Sequence, residues 1–221
     1  MIFLQYLYKI DLSSLYSTFS KTKKCASMIV DTIFDNSPTP KLLVLIRHAE
    51  SVRNATKNGS VYFPDEESRG RYRGTPDHNI SLSDEGVKHA HRISPPFHSL
   101  FGIPNFIFHS GYKRVTQTID AMLSSYGHDE LQETKTAQDF LLRERDPGFI
   151  YDMTHSEANH FFPFVEEHFH TKRPFFARPP GGESLADVAV RLRIFWHDVI
   201  LRLCANKRVF IFAHGGTSAF Y

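Results

Sequence analysis

Cysteine is scarce in this chain: Cys25 and Cys204 are the two among 221 residues. That excludes a disulfide scaffold and a thiolate zinc cluster, and a reducing compartment becomes the expectation. Charge of one sign is also missing. Lys+Arg 26 minus Asp+Glu 24 gives +2, so no global field draws the chain to nucleic acid or anionic lipid. No stretch approaches the roughly 20 apolar residues that span a bilayer, and no internal repeat is visible. What is present is 41% hydrophobic and 23% charged residues, the balance of a folded globular chain. There are also 13 histidines, which have to be divided between chemistry and background.

The length suits one large domain. Met1–Ile10 is apolar and aromatic, but it carries Lys9, is followed by Asp11 and has no basic residue before it, which makes a poor secretory signal. Residues 11–27 are rich in serine, with Lys21, Lys23 and Lys24 and no arginine. They read as part of a poorly ordered extension over residues 1–40, with a transit segment as the open alternative and Met28 as an alternative start. A cytoplasmic location is expected. Residues 41–221 are expected to form the single domain.

Within that domain, apolar runs alternate with helical patterns. Lys41–Ile46, Asn105–His109 and Arg208–Ala213 read as short strands buried on both faces, and residues 134–142 as a further extended segment. Val52–Ile80 is polar and holds Gly59, Gly70, Gly74, Pro64 and Pro76, so a long loop is expected there. Ser83 caps a helix that Pro95 and Pro96 are expected to stop near Ile93. Ser110 opens another, carrying Val115, Ile119, Met122 and Tyr126 on one face. Residues 154–168 look helical with a break at Pro163, and Arg173–Gly182 reads as an ordered loop. Ser184 caps a long helix with Leu185, Val188, Leu192, Phe195 or Trp196, Val199 and Leu203 at helical spacing. This alternation predicts a three-layer α/β/α domain with a mostly parallel central sheet.

In such sheets ligands bind beyond the carboxyl ends of the strands. The first strand delivers Arg47 and His48 there, the second leads through Ser110 to Arg114, and the last delivers His214. If those strands are neighbours, two arginines and two histidines converge on one edge. Guanidinium forks match the equatorial oxygens of a phosphoryl group. A neutral imidazole can attack phosphorus. The missing part is an acid for the departing oxygen, and Glu144 is the best candidate, provided burial or hydrogen bonding opposes the pull of the arginines on its pKa.

Those residues carry a resemblance. Leu45-Ile46-Arg47-His48-Ala49-Glu50-Ser51 with Asn54 resembles the first signature of the histidine phosphatase superfamily, which includes the cofactor-dependent phosphoglycerate mutases. Ser110–Arg114 with Thr116 and Thr118 is similar to its second arginine motif, and Leu142–Arg145 with Gly148 to the segment bearing its acid–base glutamate. Pro180–Ser184 and Phe212–Gly215 resemble its last two signatures, so five motifs stand in the family's order. The resemblance implies a phosphoglycerate mutase-like fold and a phosphohistidine on His48. It implies phosphate held by Arg47, Asn54, Arg114, His214 and Gly215, with Glu144 protonating the leaving oxygen and then activating water. No metal and no organic cofactor are called for. Ala49 stands where the family usually has glycine, and the pattern normally continues past Tyr221, so the domain is expected to be short at its carboxyl end.

Within the superfamily, Pro76–Gly86 and Phe175–Ser184 resemble the phosphatase branch, and Val52 and Arg53 stand where mutases usually carry tryptophan. A phosphatase for small phosphate monoesters is therefore expected. A mutase-type phosphoryl transferase is the alternative, and an inactive phosphate-binding module a further one. The partner expected is a small phosphorylated substrate, with no nucleic acid and no membrane, and a homodimer left open. The pairs His89/His91 and His168/His170 read as surface residues, because H-x-H on a helix points to different faces. The phenylalanine-rich stretch from Phe161 to Phe176 is expected to pack into the core or a subdomain.

Overall fold

The computed structural model describes residues 7–8 and 39–215. The expectations placed on most of residues 1–40, including Met28 and the transit segment, and on the chain beyond Gly215 lie outside the described residues.

Among the described residues, five strands form one sheet: β1 (Leu7–Tyr8), β2 (Leu42–Arg47), β3 (Phe106–His109), β4 (Lys135–Gln138) and β5 (Arg208–Ala213). Their order is β1-β2-β5-β3-β4, antiparallel only at β1–β2 and parallel elsewhere. The continuous apolar runs of β2 and β5 fit the two central strands, since both of their faces are covered. Side chains alternate across the sheet. Val44, Ile46, Phe210 and Phe212 join one core cluster, while Leu43, Leu45, Val209 and Ile211 join the other. The first cluster includes Phe97 and Phe101 of helix α3 (Asp84–Phe101) and Val115 and Met122 of α4 (Lys113–Met122). The second includes Val188, Leu192 and Phe195 of α7 (Leu185–Phe195), the chain then winding through a π-turn at Trp196–Ile200. The predicted three-layer α/β/α arrangement is thus the one observed, and Phe195, not Trp196, takes the fully buried position.

Several local expectations are corrected. Val52–Ile80 is not one long loop: α1 (Val52–Lys57) and α2 (Glu66–Gly70) lie within it, followed by a 3-10 turn at Asp77–Asn79. Ser51 Oγ accepts from Asn54 N, and Asp65 from Ser68 N, so each helix has the side-chain cap that starts it. Pro95 and Pro96 do not stop α3, which runs on to Phe101. The carbonyls they leave without a donor belong to His91 and Arg92, both exposed to water, while Phe97 and Phe101 gain burial against Phe210.

The phenylalanine-rich stretch forms α5 (His155–Phe161) and α6 (Val165–Phe176), the second extending into the predicted loop. It is not core: Phe161, Phe164 and Phe176 are 62%, 75% and 68% exposed. α6 packs against α7, and its Glu166 also pairs with His155 of α5 at 3.3 Å. His91 and His168 are exposed, as the surface reading requires, His89 is half-buried, and the side chain of His170 lies outside what is described. Cys204 is buried and free, and burial pushes its thiol pKa up to about 11. No described helix is long and apolar enough to cross a membrane.

Candidate active site

Strand register does most of the positioning. Arg47 of β2 pairs with Ala213 of β5, so the next residues, His48 and His214, leave the sheet side by side. His48 N donates to Ala213 O at 3.0 Å, which fixes the two exits to each other. His109 of β3 pairs with Phe212, which brings Ser110 level with Ala213. Ser110 Oγ then meets His214 Nε2 at 2.8 Å. The helix that follows begins at Lys113, not at Ser110, so the serine serves the histidine and not the helix end.

The hydrogen bonds select the tautomer of His48. Its Nδ1 lies 2.6 Å from Ala49 O, which can only accept, so Nδ1 carries the proton and Nε2 the lone pair. Arg114 Nε donates to that Nε2 at 3.2 Å, and Arg114 Nη2 lies 3.4 Å from His214 Nδ1. Burial, then Arg114 and Arg47, push the His48 pKa down to about 3, against the Ala49 carbonyl. His214 is held well below its usual range by burial, with His48 and Arg114 adding to it. Both imidazoles are therefore neutral near pH 7, and His48 offers Nε2 as a nucleophile.

Glu144 follows the 3-10 turn Phe140–Leu142 and reaches the same place. Its Oε2 lies 3.8 Å from His214 Nδ1, and its Oε1 accepts from Arg145 N at 2.9 Å. Burial raises its pKa and Asp77 adds to the rise, outweighing the Arg145 amide, Arg114 and Arg47. This is the balance that a carboxyl group needs if it is to donate a proton. The segment is clamped from below by Glu183, which accepts from Arg143, Arg191 and the Asp146 amide. Phe149 N donates to Pro180 O at 2.9 Å and Glu183 N to Asp146 O at 2.7 Å, locking the two glycine-bearing loops together. Gly148, at φ +63°, has its Cβ direction filled by the Pro180 backbone, so only glycine fits.

Arg47 is more exposed than the others and lies against Gly215, whose Cβ position is 3.1 Å from the Arg47 guanidinium carbon. Asn54 stands exposed on the first turn of α1, its Oδ1 accepting from Ser51 Oγ at 2.7 Å. His48, His214 and Glu144 thus present polar atoms within 4.8 Å of one another, Arg114 reaches both histidines, Arg47 borders them, and Asn54 makes its bonds within its own helix end. Sequence reasoning missed Asp77, which accepts two hydrogen bonds from Arg114. It also missed Tyr151 and Arg53, which approach the same carboxylate. Asp77 lies inside the Pro76–Gly86 segment, the one signal that could have marked it.

Two kinds of occupant fit this cluster. His48, Glu144 and His214 each present a ligand atom, all within 4.8 Å of one another, a donor set that a divalent cation can use. Arg114, however, directs its N–H groups at both imidazoles, and Arg47 stands alongside, so the field favours an anion. A tetrahedral oxyanion takes hydrogen bonds from such an edge and leaves the His48 lone pair facing its centre.

The sequence profile of the histidine phosphatase superfamily (branch 1) matches residues 43–221. A 2,3-bisphosphoglycerate-dependent phosphoglycerate mutase from Methylocella silvestris is 29% identical over 178 residues, covering 80% of this chain and 77% of its own. Among solved structures, a putative alpha-ribazole-5'-P phosphatase from Escherichia coli superposes with a TM-score of 0.57 at 18% identity, over 80% of this chain and 76% of its own. A mycobacterial glucosyl-3-phosphoglycerate phosphatase, solved with VO3, gives 0.56 at 23% identity, over 80% and 77%.

Proposed function

The chain belongs to the histidine phosphatase superfamily, and on that premise we propose that it hydrolyses small phosphate monoesters through a phosphohistidine on His48. The observation that carries this reading is the His48 Nε2 lone pair facing the Nε–Nη2 edge of Arg114, beside a protonatable Glu144. In the first step Nε2 bonds to phosphorus while the bond to the ester oxygen breaks, and Glu144 gives that oxygen its proton. In the second, the Glu144 carboxylate takes a proton from water. The water oxygen bonds to phosphorus, the N–P bond breaks, and inorganic phosphate leaves with Glu144 protonated again. Arg114, Arg47 and His214 hold the oxygens as their charge grows.

Hydrolysis is favoured over transfer by Val52 and Arg53, which replace the tryptophan expected of a mutase. A phosphoglycerate mutase is the second reading, and the names of the 29%-identical relatives favour it. The two differ in whether water or an isomeric acceptor receives the phosphoryl group.

The test is turnover in chelator, followed by phosphorus NMR. One arm uses an aryl phosphate, and a second uses 3-phosphoglycerate primed with its bisphosphate. Free phosphate that disappears in His48→Ala is the expected result. Formation of 2-phosphoglycerate with little free phosphate would replace this reading with the mutase. Phosphate binding without turnover in either arm would leave a binding module.

A further inference from the structure

Arg114 is buried and uses two edges of its guanidinium for different purposes. The Nε–Nη2 edge faces His48 Nε2 at 3.2 Å and His214 Nδ1 at 3.4 Å. The Nη1–Nη2 edge is clasped by Asp77: Nη1 donates to Oδ1 and Nη2 to Oδ2, both at 3.0 Å. Nη1 also donates to the Asp77 backbone carbonyl at 2.7 Å. A carboxylate on the second edge fixes the plane of the guanidinium, and with it the direction of the first.

Asp77 is itself held from two further sides. The Tyr151 hydroxyl donates to Oδ1. Arg53 Nη1 stands 4.0 Å from the same oxygen, while Arg53 Nη2 donates to Asp152 at 2.9 Å. The Arg53 guanidinium is buried 3.7 Å over the Tyr151 ring, and its Nε and Nη1 have no hydrogen-bond partner among the described residues. Buried guanidinium N–H groups left unpaired are costly, so the arrangement is retained against a penalty. Its effect is to keep positive charge next to Asp77, which compensates two cations while bonding only one.

We infer that Asp77 is a positioning residue: it aims the Nε–Nη2 edge of Arg114 at the place between the two histidines where a phosphoryl group binds. Tyr151 and Arg53 hold it in that role. Tyr151 lies in the turn Gly148–Asp152, just past Glu144, so the contact also ties Arg114 to the segment carrying the acid. The inference rests on the phosphoryl-site reading above.

Positioning and simple electrostatics predict opposite signs for Asp77→Asn. Removing a negative charge near an anion site strengthens phosphate binding if charge is all that matters. Asparagine keeps one acceptor but turns an N–H donor toward Nη2, which frees the guanidinium to rotate. The positioning role therefore predicts phosphate affinity at least about tenfold weaker, the loss of one charge-assisted bond, with a matching rise in KM. Inorganic phosphate binding, titrated by calorimetry alongside thermal unfolding, reads this without turnover. Tyr151→Phe keeps the ring under Arg53, removes the donor, and is expected to weaken phosphate binding in the same direction by less. If Asp77→Asn does not fold, Tyr151→Phe decides. Unchanged or tighter phosphate binding in the folded variants overturns the inference alone. A wild-type protein that binds no phosphate overturns the phosphoryl-site reading and the inference with it.

Discussion

His48 and His214 hold their ring centroids 5.2 Å apart with the planes at 67°, and Arg114 reaches a nitrogen of each. The chain separates them by 214 − 48 = 166 residues. Parallel pairing of Arg47 with Ala213 cancels that distance, because both histidines are the first residue past a strand end at the same height in the sheet. Neither ring can gain a proton cheaply there. Each is buried, each lies near the other, and both share the field of Arg114.

That arrangement makes stability depend on pH in a definite sense. A histidine in the unfolded chain takes up a proton near pH 6.5, whereas His48 in the folded protein waits until about 3. Between those values the unfolded state binds more protons, so stability rises with pH across the window. The contribution is complete above pH 6.5 and is lost as the pH falls toward 3. Each buried histidine contributes a slope of about 1 kcal/mol per pH unit. Urea unfolding between pH 7.5 and 4.5 is expected to show this slope in the wild type. His48→Gln and His214→Gln should each flatten it, and slopes equal to the wild type would mean that neither ring is held neutral by the fold.

β2, β3 and β5 are legible in the sequence because each is a short apolar run that leads, directly or through the next turn, to a basic or imidazole residue. Arg47, His48, Arg114 and His214 can be read that way. Glu144 is legible only as a candidate, since its proton affinity depends on burial that no local pattern encodes. Asp77 is not legible by pattern, because it sits in a polar stretch among other acids and acquires its role from a turn packed against α4. The phenylalanine stretch misleads for the complementary reason. Its composition promises a core, yet α5 and α6 lie outside the sheet and leave Phe161, Phe164 and Phe176 in water.

The raised pKa of Glu144 leads to a prediction that separates acid catalysis from a structural role. Glutamine fills the same space but has no proton to give. Glu144→Gln is expected to lower kcat on alkyl phosphates about 10²–10⁴-fold, the usual worth of a positioned acid. Aryl phosphates, whose phenolates leave without a proton, should lose much less in formation of the phosphohistidine. In the wild type the first step weakens as the pH rises through the Glu144 pKa, since the protonated form does the work. That limb should vanish in the variant. Burst kinetics on both substrate types would check this, and an equal loss on each would remove the acid role.

Gly86 sits in the first turn of α3, where its amide donates to Ser83 Oγ at 3.0 Å. Its Cβ direction points into the backbone carbonyl of Glu50, two residues after His48. Glu50 O already accepts from Ser83 N at 2.9 Å, so the helix start and the strand exit are joined at this one group. Alanine at position 86 must push them apart, and no flexible side chain is there to yield. Gly86→Ala is expected to cost about 1–3 kcal/mol, as overpacking does, and to reduce turnover because Ala49 and His48 move with Glu50. Gly70, the last residue of α2, has nothing within 4 Å of its Cβ position and is the control. Gly70→Ala should leave turnover unchanged and shift stability by less than about 1 kcal/mol. Urea midpoints and turnover measured on the two variants would decide the matter, and matching values would show that α3 does not seat the nucleophile through Glu50.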